Sequence, residues 1–111
     1  MANILTVAYV YESGANFDEE YYTSRHMPLC YASWQHYGLE SWSVTTYQPG
    51  PKGAEPHYRA SCDLVFRDES SLQESLSSSE TMDIIQDVPN FTTLDPIYLY
   101  GRRIAAFSGK A

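Results

Sequence analysis

The chain has 111 residues, a formal net charge of −7 at pH 7 and a pI near 4.7. This length suits one domain spanning residues 1–111 and is too short for two. The acidic balance argues against binding to nucleic acid or to an anionic membrane surface, because both require clusters of Lys and Arg. The ten Tyr residues fit a partly polar pocket or an interface as well as a core.

The N-terminal segment, residues 3–11, predicts a β-strand, because its side chains alternate and no basic signal-peptide region precedes them. Both faces of this strand are largely apolar, which indicates that both are covered. No run approaches the roughly 20 apolar residues of a membrane span. Cys30 and Cys62 form no CxxC motif, so we expect free thiols in a reducing, cytoplasmic compartment.

A long helix is predicted over residues 17–37, opening with the segment FDEEYYTSRHMPL. Asn16 is a suitable N-cap, and acidic residues in the first turn complement the helix dipole. Pro28 removes one backbone hydrogen bond and clashes with the preceding turn, which predicts a bend there. Gly38 is placed to end the helix.

Five further elements follow. Strands are predicted over residues 40–48 and 57–67, separated by a loop rich in Pro and Gly. Asp68 caps a short helix over residues 69–78, a second short helix lies near residues 80–88, and a last strand covers residues 96–106. With the two short helices counted as one helical unit, the order β-α-β-β-α-β predicts an α+β, ferredoxin-like fold with a four-stranded antiparallel sheet and helices on one face. The other face of the sheet would be open and apolar, which predicts a homodimer formed through that face.

The candidate site lies on the first helix. At 100° per residue, four side chains fall within about 60° of one another and are expected to face the sheet: Tyr22, His26, Leu29 and Ser33. A cleft between helix and sheet would accommodate their polar groups. His26 with Tyr22 can perform acid–base chemistry near neutral pH. Alternatively, His26 bonds a carbonyl group freed by Pro28 and only holds the bend.

Other polar residues have structural interpretations beside the functional ones. Asp18 is expected to be a charge at the helix N-terminus, and Asp63 to pair with Arg59 or Arg102. Arg102 and Arg103 suit an edge strand, although they could also hold a carboxylate. His36 and His57 are expected at the surface.

Metal and nucleophile chemistry have little support in the sequence. Three isolated His residues without an HExxH motif predict no metal site, and no cofactor-binding motif is present. Cys30 lies one turn after His26, so a Cys–His nucleophile pair is conceivable.

The pattern F-D-x-x-Y-Y-x-x-x-H-x-P-L resembles the EthD family of the dimeric α/β-barrel group. The matching residues are Phe17, Asp18, Tyr21, Tyr22, His26, Pro28 and Leu29. The resemblance implies a cofactor-free homodimer associated with degradation or transformation of small apolar or aromatic compounds. It leaves open whether the protein is an enzyme and, if so, whether an oxidoreductase, a decarboxylase or a dehydratase/isomerase.

His26 and Tyr22 would then be catalytic, and Tyr21, Leu29, Cys30 and Ser33 would contact the ligand. The alternative is a non-catalytic binding protein, or an auxiliary of a catabolic oxygenase, with the same pocket.

Overall fold

A computed structural model describes residues 2–109. The four strands are β1 (Asn3–Val10), β2 (Leu39–Thr46), β3 (Tyr58–Phe66) and β4 (Pro96–Arg102). The helices are α1 (residues 19–34, followed by a 3₁₀ turn, Gln35–Tyr37), α2 (Glu69–Ser77) and α3 (Glu80–Asp87, followed by a 3₁₀ turn, Val88–Asn90). The predicted elements are therefore present, and the last strand ends four residues earlier than expected.

The four strands form one antiparallel sheet in the order β2-β3-β1-β4. The predicted ferredoxin-like α+β fold is confirmed. Val7 of the central strand β1 pairs with Cys62 of β3 on one side and with Tyr98 of β4 on the other. These three side chains therefore share the face that meets the helices.

The first helix begins later than predicted, at Glu19, and its N-cap is Asp18 instead of Asn16. The Asp18 carboxylate accepts a hydrogen bond from the Tyr21 amide at 3.0 Å. Asp18 is thus an N-terminal helix group, as expected. At the other end Gly38 adopts a φ of +120°, and a Cβ at this position would overlap the Ser71 side chain. Only glycine suits this turn.

A π-helical segment, Tyr22–His26, interrupts α1 just before Pro28. Here the Met27 amide donates to the Tyr22 carbonyl, five residues back. The wider turn lies where proline cannot donate its own hydrogen bond and would crowd the preceding turn. The irregularity predicted at Pro28 therefore takes the form of a π turn, and the chain remains helical beyond it.

The π segment also changes which side chains of α1 face the sheet. Met27 lies outside the predicted sheet-facing stripe but is fully buried. Cys30 and Trp34 continue the buried stripe, whereas Leu29 and Ser33 are only half-buried. The predicted stripe was wrong beyond His26, because a π turn holds more residues than an α turn and rotates everything that follows.

In the described part of the chain, no helix covers the opposite face of the sheet. Ile97 and Leu99 of β4 are exposed there, next to Ala8 and Thr6 of β1. Among residues 2–109 no helix is long and apolar enough to cross a membrane. The homodimer through this face stays a prediction.

The pairing expected for Asp63 was wrong. Its carboxylate accepts a hydrogen bond from Thr6 on the neighbouring strand at 2.5 Å, and Arg59 instead pairs with Glu19 at 2.6 Å. Thr6 lies directly opposite Asp63 in the sheet, so it is the nearer partner. His36 and His57 are exposed, as expected.

Candidate functional site

A cavity of about 290 Å³ lies between the sheet and the helices. Its floor consists of side chains from the two central strands, namely Leu5, Val7, Tyr9, Cys62 and Leu64. Its α1 wall consists of His26, Cys30 and Trp34. The buried stripe of α1 therefore lines a space instead of filling it, which is the arrangement of a small-molecule site.

The remaining wall is formed by α2, α3 and the edge strand. Leu76 and Thr81 contribute there together with Ile84, Ile85 and Val88. Tyr98 and Tyr100 of β4 complete the lining and are 45% and 64% exposed. Together with Ile85 of α3, which is 49% exposed, these are the most exposed lining residues, so the cavity opens toward solvent between β4 and α3.

His26 is the titratable group of the α1 wall that is best placed for chemistry. It is only 4% exposed, and its ring packs on Phe91 with a centroid distance of 4.6 Å. Its Nδ1 lies 2.9 Å from Oδ2 of Asp87, at the end of α3. A buried imidazole held by a carboxylate is the base-and-orienter arrangement used in many acid–base sites.

Asp87 is itself held in place by two donors. The Tyr21 hydroxyl donates to Oδ1 at 2.6 Å, and the Asn90 amide donates to the same oxygen at 2.9 Å. Burial opposes ionisation of Asp87, but the hydrogen bonds from Tyr21, Asn90 and His26 outweigh it and lower its pKa. The carboxylate is therefore ionised and fixed in orientation at neutral pH.

The protonation of His26 follows from these contacts. Burial lowers its pKa below the ordinary value, against the opposing effect of Asp87, so the ring is neutral at pH 7. Since Asp87 is an ionised acceptor, the single ring proton resides on Nδ1. Nε2 is then a free acceptor, and within residues 2–109 it has no hydrogen-bond partner. The imidazole thus offers a basic nitrogen to the cavity that it lines.

Solved structures share this architecture over nearly the whole chain. An EthD-like protein from Ralstonia eutropha JMP134 is 24% identical with a TM-score of 0.87, covering 98% of this chain and 97% of its own. An EthD family protein from Bacillus halodurans C-125 is 24% identical with a TM-score of 0.73, covering 94% and 100%. The fold is that of the EthD-like proteins.

A cofactor-independent oxygenase from Streptomyces nogalater shares the fold more distantly. It is 9% identical with a TM-score of 0.57, covering 92% of this chain and 93% of its own. No family model and no curated protein sequence matches the chain. The two EthD-like structures nevertheless confirm, at the level of the fold, the family resemblance inferred from the sequence.

Tyr22, predicted to be catalytic, does not line the cavity. It is 1% exposed, and its ring stacks on His26 at 5.9 Å. Its buried hydroxyl has no hydrogen-bond partner among residues 2–109. Burial raises its pKa far above the usual value, and the neighbouring Cys62 thiol raises it further. The hydroxyl is a protonated group behind the cavity wall, and its catalytic role stays a prediction.

Of the residues predicted to contact a ligand, one lines the cavity and the others lie outside its lining. Tyr21 contacts Asp87 instead of lining the cavity. Leu29 and Ser33 also lie outside the lining, since the π turn rotates them away. Cys30 lies in the cavity wall. The predicted site therefore shares His26 and Cys30 with the observed cavity.

The two thiols are poor nucleophiles in this setting. Cys30 and Cys62 are buried, unpaired and both in the cavity lining. Burial raises the pKa of Cys30 well above its ordinary value and that of Cys62 to about 11. Because the reactive species is the thiolate, a Cys–His pair has no support at neutral pH. Within residues 2–109 there is no cluster of three His, Cys, Asp or Glu side chains that could hold a metal.

Asp87 is the functional residue that sequence reasoning missed. It lies 61 residues after His26, so no local spacing connects them. One signal was available: the carboxylate lies in the last turn of a helix, where the dipole disfavours negative charge. An acid in that position needs a compensating partner, and here the partners are Tyr21, Asn90 and His26.

Proposed function

We propose that this protein binds a small, largely apolar or aromatic compound in the cavity and that His26 acts on it as a general base. The observation that carries the proposal is the 2.9 Å hydrogen bond between His26 Nδ1 and Asp87 at the wall of an otherwise apolar cavity. This hydrogen bond occupies Nδ1 and leaves the basic Nε2 as the ring nitrogen that could accept a proton from a ligand.

The chemistry follows from the two protonation states of the ring. Neutral Nε2 accepts a proton from the ligand, and the imidazolium that forms donates from Nδ1 to the ionised Asp87. A pKa below 6.5 keeps most of the ring in its basic form near neutral pH. The apolar lining keeps bulk water from competing for Nε2.

The fold likeness supports a cofactor-free role in small-molecule metabolism. EthD-like proteins and a cofactor-independent oxygenase share the architecture. By this analogy we place the protein in the catabolism of small organic compounds in the cytoplasm, either as an oxidoreductase or as an acid–base enzyme. We also propose that it works as a homodimer formed through the open sheet face, where Ile97 and Leu99 are exposed.

A carbon acid of suitable size tests the proposal without knowledge of the natural substrate. 2-Tetralone is an uncharged two-ring ketone whose α-protons exchange with D₂O when a base removes them. We expect the protein to accelerate this exchange, measured by ¹H NMR. The variants His26→Phe and Asp87→Asn should abolish the acceleration. Asp83→Asn, with the same charge change at an exposed position of the same helix, should retain it.

The same experiment separates catalysis from binding alone. If 2-tetralone binds to the wild type and to Asp83→Asn but its α-protons exchange no faster than in buffer, the protein is a non-catalytic binding protein. If 2-tetralone does not bind, the proposal that the cavity is a ligand site is contradicted. Exchange that is equally fast in His26→Phe would refute His26 as the base.

A further inference from the structure

Tyr9 is the second polar group on the floor of the cavity, and the chemistry described so far does not use it. It lies near the C-terminal end of β1, is 2% exposed and lines the cavity. Its ring is fixed by edge-to-face contacts with Phe17 at 5.5 Å, Tyr22 at 5.8 Å and Phe91 at 5.7 Å. A ring held on three sides has a defined direction, so its hydroxyl is a fixed group.

The hydroxyl of Tyr9 is free to interact with a ligand. Within residues 2–109 it makes no hydrogen bond, yet it is not among the buried polar atoms that solvent cannot reach. Burial raises the pKa of Tyr9, and the groups that raise it further, Cys62, Tyr98 and Cys30, all line the cavity. The Tyr9 hydroxyl therefore lies at the cavity as a protonated donor.

Other donors at the cavity are occupied, weak or distant. The Thr81 hydroxyl donates to the Ser75 carbonyl at 2.7 Å, and the Trp34 indole donates to Thr81 at 3.2 Å. The thiols of Cys30 and Cys62 are weak donors. Tyr98 and Tyr100 lie at the mouth. No Lys or Arg is among the described residues that line the cavity, so negative charge developing on a ligand has Tyr9 as its strongest available partner.

We propose that Tyr9 is a second catalytic residue, which donates its hydroxyl proton in a hydrogen bond to a ligand carbonyl oxygen while His26 removes the adjacent α-proton. The inference rests on the proposed function and narrows its substrate class to uncharged, enolisable carbonyl compounds with an apolar ring body. A carboxylate or phosphate ester would lose its hydration without meeting a cation.

The proton and electrons balance without an oxidant or a cofactor. The α-C–H bond breaks, its proton goes to Nε2 of His26, and its electron pair forms the enolate C=C bond. The carbonyl π electrons move to the oxygen, which is then the acceptor of the Tyr9 hydrogen bond. Return of the proton to the same carbon gives exchange with solvent, and return to a different carbon of a conjugated system gives isomerisation.

Exchange of 2-tetralone protons in D₂O tests this role through Tyr9→Phe, which keeps the ring and removes only the hydroxyl. We expect the exchange rate at saturating ketone to fall by about 10²-fold, as when one oxyanion donor is lost. The ketone Kd should rise about three- to tenfold, which is the loss of affinity expected when one neutral hydrogen bond is removed. Tyr31→Phe, at a partly exposed position on α1 outside the cavity lining, should match the wild type.

Two further variants decide the outcome. In Tyr22→Phe the Tyr9 hydroxyl remains, so we expect exchange to continue at a rate much closer to the wild type than that of Tyr9→Phe. Exchange that depends on His26 but is unchanged in Tyr9→Phe would overturn the role of Tyr9 and leave the proposed function standing. Loss of exchange in Tyr22→Phe alone would assign the donor to Tyr22 and also overturn the inference. A wild type that binds tetralone without exchange would overturn the catalytic function together with this role.

Discussion

Replacing Asp87 by Asn should reverse the tautomer of His26. Two donors, the Tyr21 hydroxyl and the Asn90 amide, converge on Oδ1 of Asp87, whereas His26 is the one described residue that hydrogen-bonds Oδ2. An Asn side chain would therefore keep its oxygen on the side with two donors and turn its NH₂ group toward His26. Nδ1 would then have to accept, and the ring proton would move to Nε2.

The effect on stability should be moderate. The three hydrogen bonds of Asp87, with His26, Tyr21 and Asn90, change from charge-assisted ones, worth about 1.5–3 kcal/mol each, to neutral ones, worth about 0.5–1.5 kcal/mol each. The cost of burying the carboxylate charge disappears at the same time and offsets part of this loss. The free energy of unfolding should fall by about 1–2 kcal/mol. For a domain of this length each kcal/mol lowers Tm by about 4–8 °C. The variant should therefore fold, with a lower Tm.

The effect on chemistry should be much larger than the effect on folding. With its proton on Nε2, the imidazole cannot accept a proton from a ligand at that atom. Loss of a general base lowers a rate by about 10²–10⁴-fold, so exchange of tetralone protons should fall close to the uncatalysed rate. Ligand binding should change far less, because the apolar lining is intact.

Imidazole ¹⁵N NMR at pH 7.5 measures the tautomer directly. In the wild type, Nδ1 of His26 should carry the proton and Nε2 should show the shift of an unprotonated nitrogen. In Asp87→Asn the pattern should be reversed, with the proton on Nε2 and Nδ1 showing the shift of an unprotonated nitrogen. Asp83→Asn should reproduce the wild-type spectrum. An Asp87→Asn spectrum in which Nδ1 keeps its proton would refute the reasoning from the convergent donors.

Three further predictions concern the molecule as a whole. Light scattering should give about twice the chain mass of 12.6 kDa, and a monomeric wild type would contradict the dimer. Leu99→Glu on the open sheet face should give a monomer, whereas Met82→Glu on the exposed side of α3 should leave the dimer intact. Protein purified without added ions should contain metal well below one ion per chain, and stoichiometric metal would contradict the prediction of no metal site. Because burial lowers the pKa of His26 below 6.5, the unfolded state takes up a proton that the folded state does not, so the free energy of unfolding should fall as pH drops below about 6.5. His26→Phe should show a shallower fall in Tm between pH 7 and pH 5 than the wild type, and equal slopes would mean that His26 is not the group responsible.

The elements and their order were readable in the sequence, since each rests on local chemistry. Alternating side chains defined the strands, and Asp68 capped α2 as expected, accepting from the Ser71 amide at 2.8 Å. The two-sided apolar pattern of residues 3–11 matched the central position of β1 in the sheet. The Tyr-His-Pro segment of the first helix drew attention to His26, which lines the cavity; its role as a base stays a proposal.

Tertiary structure decided how these residues combine. His26 receives its orienting carboxylate from Asp87 in α3, and a contact across 61 residues leaves no trace in local spacing. The π turn before Pro28 rotated the rest of α1, so that Trp34 reached the cavity and Leu29 did not. Tyr9 belongs to the first predicted strand, and only the fold brings it to the cavity floor. Sequence fixes which groups are available because propensity and capping act between near neighbours, while packing of distant segments determines which of them meet.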